Sequence, residues 1–226
     1  MDMELYLDTA DIGQIEEAAR LGVLGGVTTN PTLLARAGHA DASSAVRKIA
    51  AVVAASPTGT VSMECIATDA DGMVAEGLRY AGWAPNVLVK CPTTAEGLAA
   101  CRRLTDRGVR VNMTLVFSPA QAILTARAGA WCASPFVGRL DDIAADGMGL
   151  VRDVVGIFRT QGYATKVLAA SLRHPMHVVE AARAGADIAT MPYPVFKQLI
   201  NHPLTDSGLA GFLADWKKVA PHMETT

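Results

Sequence analysis

Along the 226-residue chain, short β-branched apolar runs alternate with longer Ala-rich segments, and the alternation repeats without a break in composition. The runs predict eight strands, at residues 4–8, 26–30, 61–66, 86–91, 109–116, 131–137, 166–171 and 187–192. Helix starts are marked between them by Asp11 with Gln14 as a capping-box-like pair, Pro31 after Asn30, Thr94 with Gly97 nearby, Ser118 before Pro119, and Pro194. Gly108 and Gly185, each just ahead of a strand, are stop signals. Repeated strand–helix units argue for parallel strands, because hairpins need no such crossovers. The natural closure is an α/β fold, a (β/α)8 TIM barrel with an extra C-terminal helix. A doubly wound open sheet competes, but the chain reads Asp8-Thr9-Ala10-Asp11 where that fold carries its Gly-rich turn. Residues 1–226 therefore read as one barrel domain. The extra helix, over 205–220, has Phe212, Leu213, Trp216 and Val219 on one face, available to cap the barrel or reach a neighbouring subunit.

Alternate side chains of a barrel strand face the helices and the barrel axis. In the fifth strand Val111, Met113 and Leu115 oppose Asn112 and Thr114; in the third, Val61, Met63 and Cys65 oppose Ser62 and Glu64. In the first, Leu5 and Leu7 oppose Glu4, Tyr6 and Asp8; in the fourth, Val87 and Val89 oppose Leu88 and Lys90. The apolar set suits the wall, so the polar set points inward. Asp8, Asn30, Glu64, Lys90, Thr114, Ser134 and Ser171 all fall at or near C-terminal strand ends, the face where barrel enzymes keep their active sites.

Composition narrows what such a barrel acts on. The chain is 50% hydrophobic and 19% charged, with a formal charge of -2, which excludes disorder and implies a large aliphatic core. No dense Lys/Arg block is present, so nucleic acid is not the expected partner. Apolar stretches break well short of about 18 residues, and Met1-Asp2-Met3-Glu4 does not begin a signal peptide, so no membrane partner and a cytoplasmic location are expected. Cys65, Cys91, Cys101 and Cys132 form no CxxC and read as reduced structural thiols. His174 and His177 have no acidic or Cys partner nearby in sequence, so no metal site is expected.

Lys90 is the most informative residue. Its neighbours Val87, Leu88, Val89, Cys91 and Pro92 would set the ammonium in an apolar strand, where desolvation favours a neutral amine, a nucleophile towards carbonyls. A snorkelling lysine is the alternative. Lys166 begins its strand, on the face associated with stability rather than catalysis. Asp8 and Glu64 suit proton transfer as an amine adds to a carbonyl and water leaves, and Thr114 could hold a water between them. Arg139 after the sixth strand, with Ser171 and Arg173 after the seventh, suit a phosphate clamp. The same carboxylates would also serve a sugar-phosphate isomerase or epimerase without a covalent lysine, and the same pocket a non-catalytic sugar-phosphate binder.

At these residues the sequence resembles the transaldolase family, specifically the short branch that also includes fructose-6-phosphate aldolase. The matching stretches are Leu5-Tyr6-Leu7-Asp8-Thr9-Ala10, Gly26-Val27-Thr28-Thr29-Asn30-Pro31, the run from Val89 through Lys90 to Gly97, Asn112-Met113-Thr114-Leu115, the run from Ser134 to Arg139, and Ala186-Asp187-Ile188-Ala189-Thr190. They span nearly the whole chain. The resemblance implies a class I mechanism with neither metal nor cofactor. Lys90 would form a Schiff base with a ketose phosphate such as fructose 6-phosphate, and Asp8 would take the proton of the hydroxyl whose carbon–carbon bond breaks. Glyceraldehyde 3-phosphate would leave, and the retained dihydroxyacetone enamine would be captured by an aldose phosphate such as erythrose 4-phosphate, giving sedoheptulose 7-phosphate.

The resemblance also assigns a water to residues matching Glu64 and Thr114, and hydroxyls of the three-carbon unit to Asn30, Asn112 and Ser134. Thr28 and Phe136 join the substrate-binding set, and Arg139, Ser171 and Arg173 hold phosphate. Fructose-6-phosphate aldolases have glutamine at the Glu64 position and tyrosine at the Phe136 position, so this chain looks like the transferring version. A phenol could donate the proton that frees dihydroxyacetone, and a phenyl ring cannot. Cys91 departs from the aliphatic residue common there and is expected to be tolerated. The resemblance further implies a homo-oligomer, a pentamer or decamer with the C-terminal helix on a neighbour, serving non-oxidative pentose phosphate metabolism.

Overall fold

The alternation along each strand is satisfied by closing the sheet on itself. The computed structural model describes residues 2–56 and 58–219. Its parallel strands are β1 (Glu4–Asp8), β2 (Leu24–Thr28), β3 (Thr60–Glu64), β4 (Val87–Pro92), β5 (Val111–Val116), β6 (Cys132–Pro135), β7 (Lys166–Ala169) and β8 (Ile188–Met191). They pair in chain order, and β8 returns to β1. This is the (β/α)8 barrel that the strand count implies. The helices are α1 (Ile12–Arg20), α2 (Pro31–Arg36), α3 (Ala42–Val53), α4 (Ala70–Ala81), α5 (Ala95–Thr105), α6 (Pro119–Arg127), α7 (Val137–Asp141), α8 (Gly147–Gln161), α9 (Pro175–Ala184), α10 (Tyr193–Ile200) and α11 (Pro203–Val219). Two connections, β2 to β3 and β6 to β7, carry a pair of helices each. The Ala-rich pattern does not separate them.

Helix starts follow the local chemistry. Asp11, Asn30, Thr94 and Ser118 each accept a backbone N–H three residues on, and Pro31 and Pro119 open their helices. The Asp11 box is only half made, because the Gln14 side chain accepts from the Thr9 hydroxyl instead of returning to the Asp11 N–H. Gly97 is required by its surroundings. A Cβ there would stand 1.9 Å from the Pro92 carbonyl oxygen, so glycine lets α5 pack against the end of β4, two residues past Lys90.

Wall and lumen separate as parity demands. Leu7, Val27, Val61, Met63, Val89, Cys91 and Met113 join the helix-facing core, while Tyr6, Leu88, Cys132, Leu168 and Ile188 form a second buried cluster inside the barrel. That inner cluster is the floor beneath the polar residues. Tyr6 fills it sideways, with its hydroxyl 2.8 Å from Thr60 Oγ1, and Gly26 makes room, since a Cβ there would lie 2.6 Å from the Tyr6 ring. At the N-terminal end Lys166 lies over the Trp131 ring, 4.8 Å from its centre, with Glu4 3.9 Å away.

One inward–outward assignment is corrected. Leu115, expected on the wall with Val111 and Met113, lines the central cavity. Its backbone is left-handed (φ 59°) and the β5–β6 register shifts between Met113 and Val116, so the period of two is interrupted there.

The helix expected over 205–220 is observed as α11, with residue 220 outside the described residues. No side chain of α11 is buried, and Phe212 and Trp216 are 76% and 55% exposed. Among the described residues, no helix is long and apolar enough to cross a membrane.

Candidate active site

The strand register assembles the site. Parallel pairing sets Glu64 of β3 opposite Lys90 of β4, and Lys90 opposite Asn112 of β5; on the other side of the barrel Asp8 of β1 pairs with Thr28 of β2. All these positions share inward parity. They line a cavity of about 670 Å³ at the C-terminal mouth, together with Asn30, Thr114, Ser134, Phe136, Arg139, Ser171 and Arg173. The cavity thus gathers every site residue named from the sequence. Its volume is in the range of small-molecule sites.

Lys90 is only 6% exposed. Its Nζ lies 3.0 Å from Glu64 Oε2 and donates a longer hydrogen bond, 3.4 Å, to the Thr29 carbonyl. The apolar surroundings read from the strand are therefore broken by a carboxylate that comes from the neighbouring strand. An amine paired in this way has an acceptor for its proton within contact distance.

Asp8 sits across the lumen, with one edge open to the cavity and the rest enclosed by protein. This enclosure pushes its carboxyl above the ordinary carboxylate range. Lys90 and the hydrogen bond from Thr28 pull it back, Glu64 adds to the rise, and the net direction is upward. The Thr28 hydroxyl donates to Asp8 Oδ1 at 2.7 Å and stands 2.7 Å from Thr190 Oγ1.

The remaining polar groups divide by whether their hydrogen bonds are already used. Asn112 donates to Ser62 Oγ at 3.3 Å and accepts from Ser134 Oγ at 2.6 Å, so its orientation is set from both ends. Asn30 Oδ1 caps α2 through the Leu33 N–H, leaving its NH2 group for a ligand oxygen. Thr114 Oγ1 is buried without a hydrogen-bond partner among the described residues, so its hydroxyl is able to donate and accept towards the cavity it lines.

At the rim Arg139 lies over the Phe136 ring, 5.1 Å from its centre, and Phe117 meets that ring edge-on at 5.7 Å. Arg173 forms a two-pronged pair with Asp142, with Nη2 2.6 Å from Oδ2. The backbone N–H of Arg173 donates to His177 Nδ1 at 3.2 Å, and His177 Nε2 lies 3.2 Å from Asp141. Burial and the neighbouring His174 push the His177 pKa down. Ser171 has a left-handed backbone (φ 59°), which turns the chain at the lip.

Sequence reasoning missed Thr190 and Arg36, both of which line the cavity. Thr190 could have been found by applying parity to β8, where Ala189 and Met191 face the helices. Arg36, in the last turn of α2, carries no periodic signal.

The family model described as Transaldolase/Fructose-6-phosphate aldolase matches residues 5–224. The chain belongs to this family. As a transaldolase/fructose-6-phosphate aldolase member it is 56% identical to a Thermus thermophilus protein named "Probable transaldolase", over 97% of this chain and 100% of that one. It is 55% identical to a "Probable transaldolase" of Roseiflexus sp. (strain RS-1), covering 95% of this chain and 97% of the other. Among solved structures, the thiamine phosphate pyrophosphorylase of Pyrococcus furiosus superposes with a TM-score of 0.57 at 12% identity, over 84% of this chain and 85% of that one. That likeness shows the barrel fold alone. The family match runs through the strands bearing Asp8, Glu64, Lys90, Asn112 and Ser134.

Proposed function

We propose that this family member is a transaldolase that moves a dihydroxyacetone unit from a ketose phosphate to an aldose phosphate through a Schiff base on Lys90. The observation that carries the reading is the buried Lys90 amine in contact with Glu64 and facing the cavity that Asp8 also lines. Glu64 accepts a proton from the ammonium, and the freed amine attacks the keto carbon of fructose 6-phosphate or sedoheptulose 7-phosphate. Loss of water gives the protonated imine, with Thr114 and Glu64 guiding the water that carries the protons. Asp8 then removes the hydroxyl proton next to the bond that breaks. The bonding pair flows into the imine and leaves an enamine on Lys90, while an aldose phosphate departs. The acceptor, erythrose 4-phosphate or glyceraldehyde 3-phosphate, reacts in the reverse sense, Asp8 returns its proton to the new alkoxide, and water hydrolyses the resulting imine to free Lys90 and the new ketose phosphate.

Asn30, Asn112 and Ser134 bind hydroxyls of the three-carbon unit, with Thr28 holding Asp8. Arg139, Ser171 and Arg173 receive the phosphate. The reaction belongs to non-oxidative pentose phosphate metabolism. A cytoplasmic setting agrees with the free state of Cys65, Cys91, Cys101 and Cys132. The test is borohydride reduction in the presence of fructose 6-phosphate, followed by peptide mapping. The expected adduct is on Lys90; active protein with no adduct, as an isomerase or epimerase would give, or with an adduct elsewhere, would sink the mechanism.

The family description also names fructose-6-phosphate aldolase, an activity that would release free dihydroxyacetone, and Phe136 is the residue that favours transfer. Its ring, fixed between Phe117 and Arg139, has no proton to give the enamine. Phe136→Tyr is expected to raise cleavage of fructose 6-phosphate without an acceptor by about tenfold or more. Release measured with and without erythrose 4-phosphate checks this, and wild type that cleaves equally fast without acceptor would make the aldolase reading correct.

A homo-oligomer, a pentamer or decamer, is the expected assembly. Its support is α11, whose Leu209, Phe212, Leu213 and Trp216 are each more than half exposed. Light scattering should give a mass several times that of one chain, and a monodisperse monomer would overturn the proposal.

A further inference from the structure

We infer that Thr190 is a positioning residue for Asp8, acting through the Thr28 hydroxyl to hold the Asp8 carboxylate in its proton-accepting state. The inference rests on the reading of Asp8 as the group that takes the substrate proton. It begins with barrel closure. β1 lies between β8 and β2, with Tyr6 opposite Thr190 and Asp8 opposite Thr28. The two threonines reach across β1 inside the lumen and meet with their oxygens 2.7 Å apart, while Thr28 Oγ1 is 2.7 Å from Asp8 Oδ1. Both are buried, at 3% exposure each, so bulk water does not substitute for these contacts.

Proton counting fixes the direction. A carboxylate has no proton, so Thr28 must donate to Asp8; having one proton, Thr28 must then accept from Thr190. The chain Thr190 to Thr28 to Asp8 thus points both hydroxyl dipoles at the negative charge, where hydrogen bonds are strongest. When Asp8 gains a proton the chain can reverse, and the bonds then serve a neutral group. Losing the Thr190 hydroxyl therefore harms the carboxylate more than the acid. The other groups facing Asp8 are Lys90 of β4, which favours the carboxylate, and Glu64 of β3, which opposes it. Neither touches Thr190 through a hydrogen bond or ion pair among the described residues.

Thr190→Val keeps the shape and removes the hydroxyl, and Thr190→Ser restores it. Two readouts apply to wild type and both variants: the pH profile of kcat/KM for transfer, and infrared titration of the protonated carboxyl band that Asp8→Asn removes. The valine variant is expected to titrate Asp8 at higher pH, and to be about threefold to tenfold slower on the acid limb with the plateau little changed. Serine should return both to wild type. An Asp8 titration unmoved by valine, or moved equally by serine, would overturn the relay. A displaced titration with an unmoved acid limb would count against Asp8 as the proton-transferring group, and so against the functional reading on which the proposal stands.

Discussion

Lys90→Met is expected to lose roughly 10⁴-fold or more in kcat for transfer from fructose 6-phosphate, and to give no borohydride-stable adduct. Methionine matches the apolar stem of lysine but ends where the amine would begin, so imine, electron sink and retained enamine all disappear together. In the proposed mechanism Asn112 and Ser134 hold the sugar hydroxyls independently of the amine, so substrate should still bind. The substitution also strands Glu64. Lys90 and Glu64 side chains are 7% and 18% exposed, and removing one member of such a pair leaves a charge with little water. A loss of about 1–3 kcal/mol is expected, the cavity opening keeping it below that of a sealed pair. Lys90→Met with Glu64→Gln should recover most of that stability and none of the activity. Transfer assays and thermal melts on the same samples separate the two effects. Transfer by Lys90→Met within tenfold of wild type would rule out the covalent route.

Asp8→Asn is expected to move activity and stability in opposite directions. Without a proton acceptor at the breaking bond, kcat should fall by about 10²- to 10⁴-fold. Stability at neutral pH should rise. The cause is the enclosure that holds Asp8 above the ordinary carboxylate value of 3.8. Between that value and the raised one the folded protein binds more protons than the unfolded chain. The contribution of Asp8 to stability is therefore fully present below the ordinary value and lost as pH rises through the raised one. Asparagine is neutral at every pH and can still accept from Thr28, so it avoids the loss. Each kcal/mol recovered should raise the melting temperature by about 2–4 °C, with the difference between variant and wild type shrinking as the buffer is made acid. A variant no more stable than wild type at neutral pH would show that Lys90 and Thr28 outweigh the enclosure.

Such a site is one of locally unfavourable choices. A carboxyl with little water, a paired lysine in a lumen and a buried threonine hydroxyl unpaired among the described residues each oppose folding, and the surrounding wall of Val, Met, Leu and Ala holds them in place.

Much of this was legible along the chain because it depends on neighbours in sequence. The period of two in 61–64, 87–90 and 111–114 sorts wall from lumen without knowledge of any other strand, and Asn30, Thr94 and Ser118 cap their helices with groups three residues away. Sequence order also puts Asp8, Glu64 and Lys90 at or near strand ends, and the resemblance of whole stretches named the family. Leu115 is where local reasoning failed. A left-handed residue inside an otherwise regular run has no signature in Met113-Thr114-Leu115-Val116, since leucine has no preference for that conformation.

What the sequence by itself determined was the barrel, its polar mouth and the identity of the groups there, since alternation, caps and motifs are properties of short segments. Tertiary structure alone decided which of those groups touch. Glu64 meets Lys90, Thr190 meets Thr28, and Asp142 occupies Arg173, across separations of 26, 162 and 31 residues. Such contacts depend on strand register and barrel closure. A shift of one residue between β3 and β4 would turn either Glu64 or Lys90 towards the helices, and that register is set by the packing of the whole wall.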